Sequence, residues 1–296
     1  MKEKIVIDVG SSSVKVYRIG KKVELLFVRS IFFKDDFDSE KGVSERNKKE
    51  LFQLMEEVKK SYGANPKVIA TAQFRKLSPE ARKKFIHEFF TETGLNFEII
   101  SQELENLYIE KALVGKAGAK KVLLVNIGGG STQLVVVHGK RTLERINVDM
   151  GVGTLLKEFP EINEEYSENI DDIIGFAKKK LPEIRSKVRY AVYTGGELNY
   201  MEIAGYRLED NDLFRDDNHP KKISTENFSR RNREVFEKIK FKELVGLMPE
   251  NSKWMQGSRA CSTLAQAIFE KYGIKFIVPS DSNIIDGLAR EEKKYK

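Results

Sequence analysis

Two glycine-rich turns in this sequence have the composition of phosphate-binding loops. The first, GSSS at Gly10–Ser13, follows the apolar run KIVIDV, and the second, GGGST at Gly128–Thr132, lies between VLLVNI and QLVVV. Glycine lets the backbone approach an anion closely, and small side chains leave N–H groups free to donate. A strand, a small-residue turn and a second strand at both places therefore indicate two cradles for phosphate.

The two turns belong to an internal repeat. Placing IVIDVGSSSVKVYRIGKK over LLVNIGGGSTQLVVVHGK aligns Asp8 with Asn126 and Gly10 with Gly128, at a constant separation of 118 residues. A repeat of this length, with strand, turn and strand in each copy, predicts two similar α/β domains. We expect the two turns to face each other across an interdomain cleft, where they could hold adjacent phosphates.

The elements that must position these turns can be read along the chain. Short β-branched runs predict strands at KIVIDVG, KVIATAQF, NFEII, YAVYTGG and KFIVPSD, and VKVYRIGKKVELLFVR predicts an antiparallel pair. Ser78 and Pro79 predict the start of a helix that stops at Gly94, and Ser101 predicts a helix that runs to about Leu113. Further helices are predicted at about 51–62, 228–247, 258–272 and from 284 onward, and 154–181 is predicted to be a polar, helix-rich stretch.

The best candidate for a domain boundary is GKAGAKK at residues 115–121, where the pattern of elements restarts. This segment is not a P-loop, because it lacks the G-x-x-x-x-G-K-[ST] spacing. We therefore predict an N-terminal domain at 1–118 and a C-terminal domain at 119–296. The terminal helix from about 284 could pack on the N-terminal domain.

Composition excludes several classes of protein. The 296 residues carry a formal net charge of +7, which is compatible with an anionic partner and equally with a lysine-rich surface. Cys261 is the only cysteine, so an intramolecular disulfide is impossible, and the three histidines show no ligand spacing. No apolar run approaches the length of a bilayer span, and no aromatic-interleaved basic motif indicates specific nucleic-acid binding. A cytoplasmic location without membrane contact is the expectation.

Taken in order, these landmarks resemble the exopolyphosphatase/guanosine pentaphosphate phosphohydrolase family, a branch of the actin, Hsp70 and sugar-kinase superfamily. The resemblance covers nearly the whole chain. It rests on IDVGSSSVKV, ATAQFR, TGLNFEIISQELENLYI, VNIGGGSTQL, YTGGELNYMEIAG, DNHPKKIS and PSDSNIIDGLA. It implies two duplicated actin-like (ribonuclease H-like) α/β domains, without the extra C-terminal helical domains of longer members.

The resemblance also implies a chemistry, the attack of water on a terminal phosphoryl group, usually with Mg2+. The catalytic candidates are Glu105, to orient and deprotonate water, with Glu103 near it and Arg75 to hold the phosphate chain. Asp8, Glu105 and, weakly, Asn126 are the metal candidates. The phosphate-binding candidates are Gly10, Ser11, Ser12, Ser13, Gly128, Gly129, Gly130, Ser131 and Thr132, and Gly195 and Gly196 are the nucleoside-facing candidates. From the residues alone, Glu103 and Glu105 are equally compatible with helix-dipole stabilisation, and Arg75 with a surface ion pair.

The sequence departs from the family at two acidic positions. Asn126 stands where members usually have Asp, and Gln133 where they usually have Glu. The amides keep the hydrogen-bonding shape but lose the charge that holds a divalent cation. Ile285, Asp286 and Glu197 also stand where the family tends to have arginine, glutamate and a small hydroxylated residue.

Three functions remain open from the sequence. The first is a hydrolase acting on inorganic polyphosphate or guanosine penta/tetraphosphate, and the second is a catalytically weakened protein that binds or senses the same ligands. The third is an ATP-dependent kinase of the same superfamily. The basic clusters AKKKLPEIRSKVR and FSRRNR could track a long polyanion or simply form solvated helix faces. A homodimer is one possible assembly.

Overall fold

The computed structural model describes residues 3–11, 13–33, 37–63, 65–113, 120–165, 168–195, 197–213, 219–249 and 252–294. The chain divides into two compact units, Met1–Ala112 with Ile284–Lys296, and Leu113–Asn283. The predicted boundary between 118 and 119 lies at residues 114–119, outside the described residues, and stays a prediction.

The first unit is built on a five-stranded sheet of order β3-β2-β1-β4-β5. Its strands are β1 Lys4–Val9, β2 Val14–Ile19, β3 Val23–Arg29, β4 Lys67–Ala70 and β5 Phe97–Ile99. β1, β2 and β3 are antiparallel neighbours, whereas β4 and β5 run parallel to β1. Its helices are α1 Glu45–Tyr62, α2 Ala72–Arg75, α3 Pro79–Thr93, α4 Gln102–Leu113 and, from the end of the chain, α12 Ile284–Lys294.

Helix α3 has the limits that its sequence predicts. The Ser78 hydroxyl accepts from Ala81 N at the start, and Gly94 ends the helix with a left-handed φ of 68°. An N-cap of this kind stabilises a helix by about 1 kcal/mol, and glycine adopts the left-handed conformation without a Cβ clash. The prediction for this helix is confirmed.

The segment KVIATAQF differs from its prediction as a single strand. Strand β4 ends at Ala70, and Ala72–Arg75 forms the short helix α2. This change of direction buries Phe74 completely, with its ring centroid 5.1 Å from that of Phe33 and 5.0 Å from that of Phe97. Burial of one large aromatic side chain outweighs the local strand propensity, and it leaves Arg75 at the carboxyl end of β4.

Helix α12 packs closely on α4. A Cβ added at Gly287 would lie 1.7 Å from the Tyr108 carbonyl oxygen, so only glycine permits this helix crossing. Arg290 Nη1 donates to the Lys111 carbonyl at 2.9 Å, and the Lys111 ammonium pairs with Glu291. The end of the chain thereby braces the helix that carries Glu105.

The second unit is built on a seven-stranded sheet of order β10-β11-β12-β9-β6-β7-β8. Its strands are β6 Lys121–Ile127, β7 Thr132–His138, β8 Arg141–Val148, β9 Tyr190–Thr194, β10 Glu209–Asp210, β11 Lys221–Ser224 and β12 Phe276–Ser280. Its helices are α5 Val152–Glu158, α6 Ile170–Lys180, α7 Glu197–Ile203, α8 Thr225–Lys238, α9 Phe241–Gly246, α10 Ser252–Met255 and α11 Ser258–Lys271. Helix α11 is buried from Ser258 to Phe269 and forms the centre of this unit's core.

The two sheets repeat one topology. The order β8-β7-β6-β9-β12 in the second unit matches β3-β2-β1-β4-β5 in the first. The register also repeats, because Asp8 lies opposite Lys15 as Asn126 lies opposite Gln133. The duplication inferred from the sequence is therefore confirmed in the strand order and in the cross-strand pairing.

Candidate active site

Both glycine turns are closed by the same backbone hydrogen bond. Gly10 N donates to Ser13 O at 2.9 Å, and Gly128 N donates to Ser131 O at 2.8 Å. A Cβ added at either glycine would lie 3.2 Å from the carbonyl oxygen that closes its turn. The equivalent turns therefore share this closing contact; Ser12 lies outside the described residues.

The first turn has a charged environment. Asp8 sits at the end of β1 directly opposite Lys15 of β2. Burial raises the pKa of the Asp8 carboxyl to about 6; the positive charge of Lys15 opposes this shift and the nearby Glu105 carboxylate adds to it. Glu105 is thus close enough to raise the pKa of Asp8, which is the relation expected of carboxylates in one site.

Glu105 pairs with Arg75 in this same region. Arg75 Nη1 lies 2.8 Å from Glu105 Oε2, and the Glu105 side chain retains 16% of its exposure. The guanidinium also donates to the carbonyl of Ile100 and to the side-chain oxygen of Gln102. Burial raises the pKa of Glu105, while its interaction with Arg75 lowers it, and the net shift is upward.

The Oε2 oxygen of Glu105 is buried, and its polar neighbour is the Arg75 guanidinium. The 2.8 Å contact joins Arg75 Nη1 to Oε2 as an ion pair outside ideal hydrogen-bond geometry, and this interaction lowers the pKa of Glu105 against the effect of burial. An unsatisfied buried carboxylate oxygen is costly unless a ligand or a water molecule completes it. Its position beside a guanidinium suits a water molecule next to a phosphate.

Glu103 has different surroundings. Its side chain is exposed, and hydrogen bonds from its own backbone N–H and from the Ser101 hydroxyl lower its pKa. Ser101 caps α4 as predicted, since its hydroxyl accepts from Leu104 N at 3.1 Å. Glu103 therefore takes part in the first turn of the helix, and its predicted catalytic role stays a prediction.

The second turn has a neutral amide pair in place of charged groups. Asn126 Nδ2 donates to Gln133 Oε1 at 2.6 Å across β6 and β7. Gln133 is buried and Asn126 half-buried. The two amides that replace the family's acids therefore bind each other, which two ionised carboxylates at the same positions could not do.

The remaining phosphate-binding candidates of the second turn differ in exposure. Gly129 and Gly130 are exposed, whereas Gly128 and Ser131 are half-buried. Thr132 is fully buried, and its hydroxyl donates to the Met150 carbonyl at 2.7 Å. The side chain of Thr132 therefore anchors the turn from within.

A buried polar cluster lies beside the predicted nucleoside-facing glycines. Gly195 has a φ of 132°, which favours glycine, and Gly196 lies outside the described residues. Behind Gly195, the Glu197 carboxyl is buried with Cys261, whose thiol lies 3.7 Å from Oε1 and 3.2 Å from the Tyr193 hydroxyl. Burial raises the pKa of Glu197 to about 8, so it is protonated at neutral pH.

The described residues do not fit a resident divalent cation. Among them, no three or more His, Cys, Asp or Glu side chains form a group that could hold a metal. The Asn126 amide donates to Gln133 Oε1, and the Arg75 guanidinium already pairs with Glu105, one of the metal candidates. The assignment of Mg2+ therefore stays a prediction.

Some of the positive charges in the basic clusters are paired locally. In FSRRNR, Arg233 pairs with Asp171 and Glu237, and Arg231 pairs with Glu234. In the other cluster, Lys178 pairs with Glu270. These contacts favour the solvated helix face over a track for a polyanion.

Solved structures share this fold over nearly their full length. A Ppx/GppA family member from Aquifex aeolicus matches with 21% identity and a TM-score of 0.74, covering 99% of this chain and 98% of that chain. An exopolyphosphatase from Cytophaga hutchinsonii matches with 13% identity and a TM-score of 0.79, with the same coverage. The predicted fold class, two duplicated actin-like α/β domains, is thereby confirmed.

The sequence identifies the family. Residues 33–245 match the Ppx/GppA phosphatase family. This chain belongs to that family, as its motifs predicted. Among the described residues, none of the helices combines the length and apolar character needed to cross a bilayer.

Proposed function

We propose that this protein hydrolyses phosphoanhydride bonds and releases terminal phosphate from inorganic polyphosphate or guanosine penta/tetraphosphate. The observation that carries the proposal is the half-buried Glu105 carboxylate, whose buried Oε2 lies 2.8 Å from Arg75 Nη1. A base and a phosphate-binding cation side by side are the two groups that such a reaction needs most. Membership of the Ppx/GppA phosphatase family supports the same reaction class.

The proposed reaction uses groups of the protein in a defined order. The Glu105 carboxylate accepts a proton from a water molecule whose oxygen attacks the terminal phosphorus. The bond from that phosphorus to the bridging oxygen breaks, and the shortened chain leaves with the electron pair. Arg75 stabilises the negative charge on the phosphoryl oxygens, as its planar guanidinium suits phosphate geometry. A raised pKa makes Glu105 a stronger base than an ordinary glutamate.

The glycine turns would bind the phosphate chain through backbone donors. Successive N–H groups in a tight turn form a concave site for anions, and this does not depend on the identity of small side chains. The repeated closure of both turns supports this role. That the two turns act on one substrate from a shared cleft stays a prediction.

A second candidate is a protein that binds the same ligands without turning them over. The observation that favours it is the closed amide pair of Asn126 and Gln133, which removes two expected acids. Such a protein would retain both turns and Arg75 for binding, and its response to the ligand would be conformational. Cytoplasmic location and homodimeric assembly remain predictions for either candidate.

Phosphate release by the purified protein distinguishes the two candidates. The substrates are long-chain polyphosphate, inorganic tripolyphosphate and the two guanosine nucleotides, each with Mg2+ and with chelator. Continuous release over many turnovers from any of them supports the hydrolase. Saturable binding by calorimetry with release at the uncatalysed rate would establish the binding protein. If the protein neither releases phosphate from these substrates nor binds them, the proposed function is rejected.

A further inference from the structure

The segment Gly151–Gly153 lies directly behind the second glycine turn. Val152 N donates to the Gly128 carbonyl at 3.0 Å, and Gly153 N donates to the Gly129 carbonyl at 2.6 Å. The carbonyl oxygens of the two successive glycines are therefore held on the inner side of the turn.

Holding these carbonyls inward fixes the direction of the amides that follow them. In a trans peptide, the C=O and N–H of one unit point in opposite directions. The N–H groups of Gly129 and Gly130 therefore point away from the supporting segment. Both residues are exposed, and a Cβ added to either would meet nothing within 4 Å. The outer side of the turn thus has open space and two N–H groups directed into it.

Only glycine allows the supporting segment to come this close. A Cβ at Gly151 would lie 2.4 Å from Gly128 O and 2.7 Å from Ser131 N, and one at Gly153 would lie 2.8 Å from Gly129 O. These neighbours are backbone atoms, so no side chain can turn aside to relieve the contact. The φ of Gly151 is −142°, an ordinary extended value, so packing and not backbone strain requires glycine here.

We propose that Gly151 and Gly153 are positioning residues that set the affinity of the second turn for a phosphate chain. The inference rests on the proposed function, because it takes the open side of this turn as the place where phosphate binds. The two glycines touch no ligand themselves. They act by fixing the peptide orientations that present the amides of Gly129 and Gly130.

The test compares Gly151→Ala and Gly153→Ala with Gly175→Ala. Gly175 is a matched control in α6 of the same unit, where an added Cβ meets nothing within 4 Å. The probe is inorganic tripolyphosphate, whose dissociation constant is measured by calorimetry. We expect Gly151→Ala to weaken binding on the order of tenfold or more, since small misplacements of positioning groups have large effects. Gly153→Ala should have a smaller effect, and Gly175→Ala none.

Kinetics and hydrogen exchange separate positioning from a general loss of stability. KM should rise by the same factor as the dissociation constant, with a smaller change in kcat per folded molecule. Amides at 128–132 should exchange faster in Gly151→Ala than in the control, without any ligand. If Gly151→Ala does not fold, the affinity of Gly153→Ala tests the inference. This variant should fold, because Gly153 lies in α5, where alanine has a higher helix propensity than glycine.

Each result has a definite meaning. Unchanged affinity for tripolyphosphate in a folded Gly151→Ala would overturn the inference. If only Gly153→Ala folds, unchanged affinity in that variant would do the same. The proposed function would stand in either case, provided that the parent protein binds tripolyphosphate and releases phosphate. If the parent protein neither binds tripolyphosphate nor hydrolyses any of the substrates, the proposed function and the inference are both rejected. If the parent binds tripolyphosphate without hydrolysing any substrate, the hydrolase is rejected and the affinity test still decides the inference. Weakened binding confined to the two supporting positions supports the inference.

Discussion

The two glycine turns are closed by the same backbone hydrogen bond, but one lies beside charged side chains and the other beside neutral amides. In the first, Asp8 faces Lys15 across the strand pair, and the nearby Glu105 carboxylate raises the pKa of Asp8. In the second, the equivalent positions hold Asn126 and Gln133, which hydrogen-bond to each other at 2.6 Å. The closing hydrogen bonds differ by only 0.1 Å, at 2.9 and 2.8 Å. The two copies therefore share the closing contact of the turn and differ in the charge beside it.

This difference in charge indicates different roles for the two glycine turns. A neutral amide pair can hold a turn in place but cannot accept a proton from water. The desolvated acids of the first unit can do so, and their raised pKa values show that burial opposes their charge. We therefore expect chemistry to depend on the first unit, and the second to contribute binding through its backbone.

The largest effect should come from making the first turn resemble the second. Asp8→Asn should lower phosphate release on the order of a hundredfold, if this acid acts together with Glu105. It should also raise the free energy of unfolding at pH 8 by about 1–3 kcal/mol. The reason is that a carboxyl whose pKa rises to about 6 on folding destabilises the folded state above that pH.

Glu3→Gln is the control for this substitution, because Glu3 is an exposed acid immediately before the same strand. Chemical denaturation and phosphate release are measured on both variants. A variant of Asp8 that loses stability and activity together would indicate a structural role and would contradict the contrast between the two turns.

A smaller effect is expected at the buried acid of the second unit. The pKa of Glu197 is raised to about 8, so the folded state binds its proton more tightly than the unfolded chain does. Its contribution to stability is complete below the unfolded pKa of about 4.5, and is lost as the pH rises through 8. Between these two pH values, we expect the free energy of unfolding of the parent to fall by about 1.4 kcal/mol per pH unit relative to that of Glu197→Gln.

Denaturation curves at several values between pH 5 and 8 test this expectation. The exposed Glu202 lies on the same helix, and Glu202→Gln should keep the slope of the parent. Phosphate release should not depend on Glu197 if this acid serves stability alone. Equal slopes in Glu197→Gln and the parent would show that the carboxyl is ionised in the folded protein.

The smallest effect on stability should come from giving the second turn its acids. Asn126→Asp with Gln133→Glu removes the amide hydrogen bond, and should lower the free energy of unfolding by about 1–2 kcal/mol without Mg2+. Mg2+ should restore this loss and tighten phosphate binding, since carboxylates are good ligands for a hard cation. Without Mg2+, the added charge should weaken binding of the polyanion.

The single variant Asn126→Asp is the control, because the Gln133 amide can turn and donate to the new carboxylate. Thermal unfolding and calorimetry with and without Mg2+ are the measurements. If the parent already turns over rapidly with Mg2+ and the double variant is no faster, the amide pair does not limit activity.

Local signals in the sequence predicted most of the elements of the fold. The caps at Ser78 and Gly94 predicted the limits of α3, and the repeat predicted which strands are equivalent. Each of these signals lies in residues that are close together in the chain. The short helix α2 was missed, since burial of Phe74 depends on aromatic partners more than twenty residues away. Tertiary packing overrides local propensity at such positions.

The site was predictable in part. Helical geometry separates Glu103 and Glu105 by about 200°, so only one could face Arg75, and this period could have distinguished them from the sequence. The amide pair could also have been inferred, because the repeat predicts that Asn126 and Gln133 face each other as Asp8 and Lys15 do. The contact of Glu197 with Cys261 had no such signal, as it joins elements 64 residues apart.

The most direct test of the account is phosphate release by Glu105→Gln beside Glu103→Gln, with inorganic tripolyphosphate as substrate. The two acids lie in the same turn of α4, but only Glu105 is half-buried against Arg75. The account predicts that Glu105→Gln loses on the order of a hundredfold or more in rate while tripolyphosphate binding is nearly intact, and that Glu103→Gln behaves as the parent. Equal rates for Glu105→Gln and the parent would remove Glu105 from the mechanism and contradict the account.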